Sequence, residues 1–369
     1  MVNTELAMDS NSEWPGVLRV VWIAGGIVAV NEPGPDIQIN AGMAGHNICM
    51  LRISTFASLF ETLQEKGFPI LGTTFVVSPA ELQGLRRPDF RAMSPSKSWI
   101  VWDVTQKWRQ IAFAAGQSGG MSLMDVASRI ASGLRYSEMR LHDLATAYSV
   151  QLRGRLHENK VKDYQAFKDT NSFEVYKAIH ALFWEMAVLR DTLAEFAAVF
   201  CFSRVGVRSL RGLRKSLNEN LPGDPLADEI LRATDQSSRG WLATFTSYRN
   251  FFTHIAPMEQ AANIAFAVQD VRNLSGGLSI PQVYYALPRD IEELTRKRSQ
   301  SIFFNSLEEL SDASSHRHER NSEPDALDYL HGCINQFAEL ALMLIARSPV
   351  APKPIRIGPE DIIGGIEVT

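Results

Sequence analysis

Cysteine is scarce. The 369 residues hold three, Cys49, Cys201 and Cys333, far apart and without a CxxC spacing. That pattern excludes a zinc ribbon or a vicinal redox pair, and three thiols in apolar surroundings read as buried and free, as in a reducing compartment. An excess of one charge is lacking too. With 37 Lys and Arg against 41 Asp and Glu, the net charge is -4, so any contact with nucleic acid has to be a local patch. No apolar run is long enough to span a bilayer: residues 17–30 contain Arg19 and a Gly25-Gly26 pair, and fall short of roughly 20 residues. The opening "MVNTELAMDSNSEWPG" has no basic-then-apolar signal pattern. Together these absences predict a cytoplasmic protein with no membrane association. Cofactor and metal signatures are missing as well. Gly25-Gly26 has no third glycine and no following helix of a dinucleotide fingerprint. "HRHER", from His316 to Arg320, sits in a Ser- and Asn-rich loop with no third ligand at zinc spacing.

What is present suits a globular chain of two or three domains, since 45% of residues are hydrophobic and can fill sizeable cores. Up to about residue 115, short apolar runs alternate with Gly and Pro: residues 17–30, 36–40, 70–77 and "SWIVWDVTQKWRQIAFAAG" from Ser98. Residues 54–68 have helical spacing and a stop at Gly67. The mixture predicts an α/β or α+β domain over residues 1–120, with Trp22, Trp99, Trp102 and Trp108 in its core or at its interface.

From residue 121 the pattern turns helical. Ser122 and Asp125 form a capping-box start, and the helix they open passes a weak point at Gly133. Val175, Ile179, Phe183, Met186, Leu193, Phe196 and Phe200 recur at helical steps, predicting a pillar helix over residues 173–202. A second long helix is expected from "SEPD" (Pro324 in its first turn) to Ser348. Between them stand two helices broken near Arg239-Gly240 and an insertion over residues 258–321. A Pro- and Gly-rich tail, 349–369, closes the chain. The expected fold class is therefore α+β: a mixed N-terminal domain, then an all-α bundle over residues 121–348.

The segment "SYRNFFTH" carries the sharpest chemistry. At 100° per residue, Asn250 and His254 lie about 40° apart on one helix face, while Arg249 stands on the flank. Phe245, Tyr248 and Phe252 form the apolar side. RNA can be cut through its own 2'-hydroxyl with few parts: an acid–base group, which histidine supplies near neutral pH, and a cation on the phosphate, which arginine supplies with a fixed fork of donors. No metal is needed.

An Arg, a polar residue directly after it, and a His four residues further on resemble the signature of the HEPN superfamily. The resemblance covers residues 130–348, with the pillar helix before the motif and the Pro324 helix after it. It implies a helical bundle acting as a metal-independent endoribonuclease, a toxin or defence effector in some members, and two protomers sharing one composite site. It implies that Arg249 polarises the scissile phosphate, His254 acts as acid–base group and Asn250 orients them. RNA, a second copy of the chain and an antitoxin or regulatory protein are the implied partners. Non-catalytic binding bundles belong to the same superfamily. The looser pattern also fits Arg135 and His142, where Tyr136 follows the arginine.

Two further features complete the reading. "SRVGVRSLRGLRK", residues 203–215, has five cations and no acid. If helical, it places Arg204, Arg208, Arg211 and Lys215 along one face to track RNA phosphates. "GQSGG", residues 116–120, fits G-x-S-x-G, and the strand-like "RQIAFAA" before it would make Ser118 the nucleophile of a serine hydrolase. The flexible-connector reading of the same glycines is simpler.

Overall fold

The structure, a computed structural model, describes residues 16–354 except 43–45, 97, 159–165, 221–222, 256–257, 259–266, 289–290, 300–305 and 307–323. The HRHER segment and the isoleucines of the tail lie outside the described residues. The fold is α+β: a six-stranded antiparallel sheet followed by a long helical region.

The early apolar runs do form strands. β1 (Leu18–Ile23), β2 (Ile27–Asn31), β3 (Asp36–Ala41) and β4 (His46–Arg52) make a meander. After α1 (Leu59–Glu65), β5 (Ile70–Val76) returns beside β1. The short α2 (Pro79–Leu82) then leads to the edge strand β6 (Asp89–Ala92). The order is β4-β3-β2-β1-β5-β6. In β1, β2 and β5 nearly every residue is buried, because both faces are covered, and this explains their continuous rather than alternating apolar runs. Gly67 ends the α1 segment at φ 89°, a left-handed stop that glycine takes without steric cost.

Gly25 and Gly26 make the β1–β2 turn at φ 81° and 92°. A Cβ on Gly26 would lie 2.6 Å from the carbonyl oxygen of Tyr148. Gly26 lets the turn press on a helix, and a Cβ on Gly25 would collide with the Gln282 side chain, so both glycines have a packing role.

Residues 98–116, expected as strand-like, are instead α3 (Ile100–Gln117). Val101, Val104, Trp108, Ile111 and Ala115 are buried at helical spacing, so burial of that stripe overrides the local β preference of Trp, Val and Ile. α4 (Met121–His157) follows, but Gly120 is its N-cap and no side chain caps it. The Ser122 capping box does not form, because the turn at Gly119 already places the N-cap two residues earlier, at Gly120. Gly133 leaves α4 unbroken; a Cβ there would come within 3.2 Å of Leu189, so it permits close packing of α4 on the next long helix.

That helix, α5 (Thr170–Phe196), follows the two-residue β7 (Ala166–Phe167). Asp169 and Ser172 cap it reciprocally, and a π-helical turn over Ala197–Cys201 ends it. Then come α6 (Leu210–Asn220), α7 (Pro225–Ala233) and α8 (Trp241–His254). The insertion contains β8 (Ala267–Asn273), β9 (Ser279–Tyr284) and α9 (Ile291–Ser299). With β7 these strands make a second sheet, β7-β8-β9, so the later part of the chain is not purely helical. α10 (Ala326–Ile345) closes the described fold. Pro324 stands just before its N-cap, Asp325, rather than in its first turn.

α3, α4, α5 and α10 pack side by side, and α4 also lies across the six-stranded sheet, so one hydrophobic core runs through both parts. Trp22 and Trp108 are fully in it, but Trp108 packs edge-on to Phe196 of α5, among the helices. Of the cysteines, Cys333 is buried while Cys49 and Cys201 are half-buried, all three free. Among the described residues, no helix is long and apolar enough to cross a membrane.

Candidate functional site

The break expected near Arg239-Gly240 is real. Arg239 takes φ 52° and Gly240 is the N-cap of α8. One face of α8 is locked by aromatic packing: Phe245 stacks on Phe183 of α5 at 5.6 Å, Phe252 lies 5.4 Å from the same ring, and the Tyr248 hydroxyl donates to the Pro288 carbonyl across 2.6 Å. The Phe183–Phe252 and Arg190–Thr246 contacts show that α5 and α8 run antiparallel. This anchoring fixes the rotation of α8, and so fixes what its other side presents.

That side ends in a three-residue cluster. Nη1 of Arg249 donates to Oδ1 of Asn250 at 3.1 Å and to Nε2 of His254 at 3.2 Å. Asn250 and His254 are exposed and Arg249 is half-buried. An arginine can only donate, so Nε2 of His254 is the acceptor in this arrangement. The Arg249 guanidinium also lies 5.7 Å from the centre of the Trp184 ring on α5, within cation–π range, and its Nε is buried with no hydrogen-bond partner among the described residues. Trp184 is 56% exposed. It was legible as a candidate, since it falls off the apolar stripe of α5, where an aromatic has no core to enter.

Beside the cluster is a cavity of about 380 Å³ between α5, α6, the end of α7 and α8. Asn250 and Thr246 reach it from α8, Arg190 and Asp191 from α5, Arg211 and Arg214 from α6, and Gln236 from the α7–α8 turn. Arg190 is clamped to Asp191 through two hydrogen bonds and donates to the Thr246 hydroxyl at 3.3 Å. Among the described residues, Arg211 and Arg214 have no acidic partner. Arg190 carries no signal of its own in the sequence beyond standing off the apolar stripe of α5, and Arg214 belongs to the basic run but lies off the face expected for it.

The basic run is not one helical stripe. Arg204 and Arg208 lie in the loop before α6, and only Arg211 and Lys215 share its exposed face. The backbone cannot stay helical from α5 into α6: Ser203 takes φ 55° and Gly206 φ 88°. Arg211 is brought to the cavity. Arg204, Arg208 and Lys215 do not line it.

The two competing patterns are structural. Arg135 binds the Phe90 carbonyl at 2.8 Å and Glu138 at 2.7 Å, and it also pairs with Asp89. His142 is buried between Phe90, stacked at 4.8 Å, and Trp22, edge-on at 4.7 Å. His142 is buried, and the partly exposed Arg135 has its donors taken by Phe90, Glu138 and Asp89. Ser118 is the C-cap of α3, exposed, with its hydroxyl donating to the carbonyls of Ala114 and Ala115 at 3.1 and 3.0 Å. The segment before it is a helix, so the strand–turn–helix strain that activates an elbow serine is absent there.

No family model, curated protein or solved structure matches this chain.

Proposed function

We propose that the chain is a metal-independent endoribonuclease whose active centre is Arg249, Asn250 and His254. The observation that carries this reading is Nη1 of Arg249 held between Asn250 and His254 at the exposed end of α8, while the opposite face of α8 is fixed in the core. Nε2 of His254, the acceptor from Arg249, is the base. When an RNA phosphate takes the Arg249 donors, that nitrogen is released to remove the 2'-hydroxyl proton. The 2'-oxygen then forms a bond to phosphorus, the bond from phosphorus to the 5'-oxygen breaks, and the leaving oxygen takes up a proton. The products are a 2',3'-cyclic phosphate and a 5'-hydroxyl. The Arg249 fork stabilises charge gathering on the phosphorane oxygens.

One histidine per chain supplies a base or an acid at a given moment. Two copies of the chain, as the HEPN resemblance implies, would supply both, with Arg204, Arg208, Arg211 and Lys215 contributing charge along the RNA. A regulatory or antitoxin partner and a role in defence rest on that resemblance alone. The arginine-lined cavity favours a second reading, a non-catalytic binding bundle.

The deciding experiment is cleavage of mixed cellular RNA by the purified protein in excess EDTA, beside Arg249→Ala and His254→Ala. Cleavage by the wild type alone, leaving 2',3'-cyclic phosphate ends, supports the nuclease. Equal cleavage by the variants would remove the cluster from the chemistry. No cleavage by any of the three, with all folded, favours the binding bundle.

A further inference from the structure

We propose that the cavity between α5, α6, α7 and α8 binds a small phosphate monoester, of sugar-phosphate to mononucleotide size, with its phosphate on Arg211 and Arg214. The inference goes beyond the nuclease reading and holds whether or not RNA is cleaved.

Three observations on the cavity carry it. The first is charge. Three arginines face the cavity against one acid, Asp191, and that acid is already committed to Arg190 and to the backbone N–H of Leu210 at 3.3 Å. Arg211 and Arg214 are left with donors and, among the described residues, no acidic partner. In a chain of net charge -4, two cations turned into one concavity attract an anion, and the guanidinium fork matches phosphate oxygens. The first-turn N–H groups of α6 are not what makes the site, since Asp191 and the Ser209 hydroxyl already take those of Leu210 and Gly212.

The second observation is size. About 380 Å³ is in the range of small-molecule pockets and too little for a folded partner or a length of strand. The third is the remaining wall. Leu242 and Ala243 give an apolar floor, while the amides of Gln236 and Asn250 offer paired donors and acceptors. That combination suits the sugar or base of an organic phosphate better than a bare inorganic ion. Asn250 also accepts from Arg249, so a ligand that engages its amide acts directly on the Arg249–His254 cluster.

The test is isothermal titration of the full chain with ribose 5-phosphate, ribose, 5'-AMP, adenosine and inorganic phosphate at low salt. The phosphorylated member of at least one pair is expected to bind tenfold or more tightly than its dephosphorylated counterpart, and to weaken as salt is raised. Tighter binding of 5'-AMP than of ribose 5-phosphate would identify a nucleotide, and equal binding a sugar phosphate. The double variant Arg211→Gln/Arg214→Gln is expected to lose at least tenfold in affinity, and Lys177→Gln, on a distant turn of α5, to lose none. No binding of either organic phosphate at millimolar concentration overturns the proposal, as does equal affinity for adenosine and 5'-AMP with no phosphorylated preference in the ribose pair. Unchanged affinity in the folded double variant also overturns it. The paired comparison is made on the wild type, so it decides even if the double variant does not fold.

Discussion

Nη2 of Arg87 donates to Nδ1 of His142 across 2.9 Å and to the carboxylate of Asp143 across 2.7 Å. This settles the state of His142. Nδ1 accepts, so Nε2 carries the proton and points at the Thr74 hydroxyl 3.5 Å away, which itself accepts from Trp22 Nε1. Burial, and then the positive charge of Arg87, push this imidazole down to about 4. The residue that mimics a catalytic histidine in the sequence is a neutral joint between the sheet and α4.

His142 therefore makes the fold acid-sensitive. Its folded pKa lies below the ordinary value of 6.5, so the unfolded chain takes up the proton first and stability falls as pH drops from about 6.5 toward 4. His331, buried and hydrogen-bonded to the Met93 carbonyl at 2.7 Å, is also pushed down to about 4 and acts in the same direction. Urea unfolding at pH 7 and pH 5 should show His142→Phe, which keeps the ring stack, losing about 2 kcal/mol less than the wild type over that interval. An identical loss in both would show that His142 titrates normally.

Glu138 works with the opposite sign. It accepts from the Ala92 N–H at 2.7 Å and from Arg135, yet its burial outweighs both and raises it to about 7, with Asp89 on the same arginine adding to the rise. A raised carboxyl holds its proton in the folded state, so stability falls as pH climbs from about 4.5 to 7. Glu138→Gln keeps the acceptor for Ala92. Measured from pH 5 to pH 8, it should gain about 2 kcal/mol relative to the wild type. A flat difference between the two proteins would count against the raised value.

Trp184 should act as a positioning residue for Arg249. Its ring is more than half exposed, so Trp184→Ala should change stability by less than about 1 kcal/mol. If the cation–π contact holds the guanidinium in place, RNA cleavage should fall roughly 2- to 5-fold, in line with about 0.5–1 kcal/mol for such contacts. Trp184→Phe should restore most of it. Failure of Phe to rescue would leave the ring with no part in placing Arg249.

Gly240 sets the start of the site helix. A Cβ at this position would collide with the backbone carbonyls of Arg232 and Ala233 at the end of α7. Gly240→Ala should cost about 1–3 kcal/mol in thermal or urea unfolding, the usual range for overpacking against atoms that cannot yield. A neutral substitution would mean that α7 and α8 can separate at no cost.

Ser118 gives a test with the opposite expectation. With its hydroxyl bonded to the last carbonyls of α3, it should not label with a fluorophosphonate, and Ser118→Ala should unfold within about 0.5 kcal/mol of the wild type. Stoichiometric labelling would reopen the hydrolase reading.

Most helices were legible because each rests on its own periodicity. α5, α8 and α10 emerge from residues three, four and seven apart, and the α7–α8 break emerges from Arg239-Gly240. The misreading at residues 98–116 came from weighing the β preference of Trp, Val and Ile above a helical stripe that was present in the same letters. The second sheet was missed because β7 contributes two residues, too few for any pattern. Those two residues become a strand only by pairing with β8, a hundred positions away.

The sequence by itself determined the Arg249, Asn250 and His254 spacing. Local helix geometry converts that spacing into neighbouring side chains, and the apolar positions opposite say which way the helix must turn. Tertiary structure alone decided that Arg190, Arg211 and Arg214 share a cavity, that Trp184 lies under Arg249, and that His142 is walled in by Phe90 and Trp22. Each of those meetings depends on the rotation and depth at which one element seats against another. Close packing of many distant side chains sets that rotation, and no local stretch of sequence contains it.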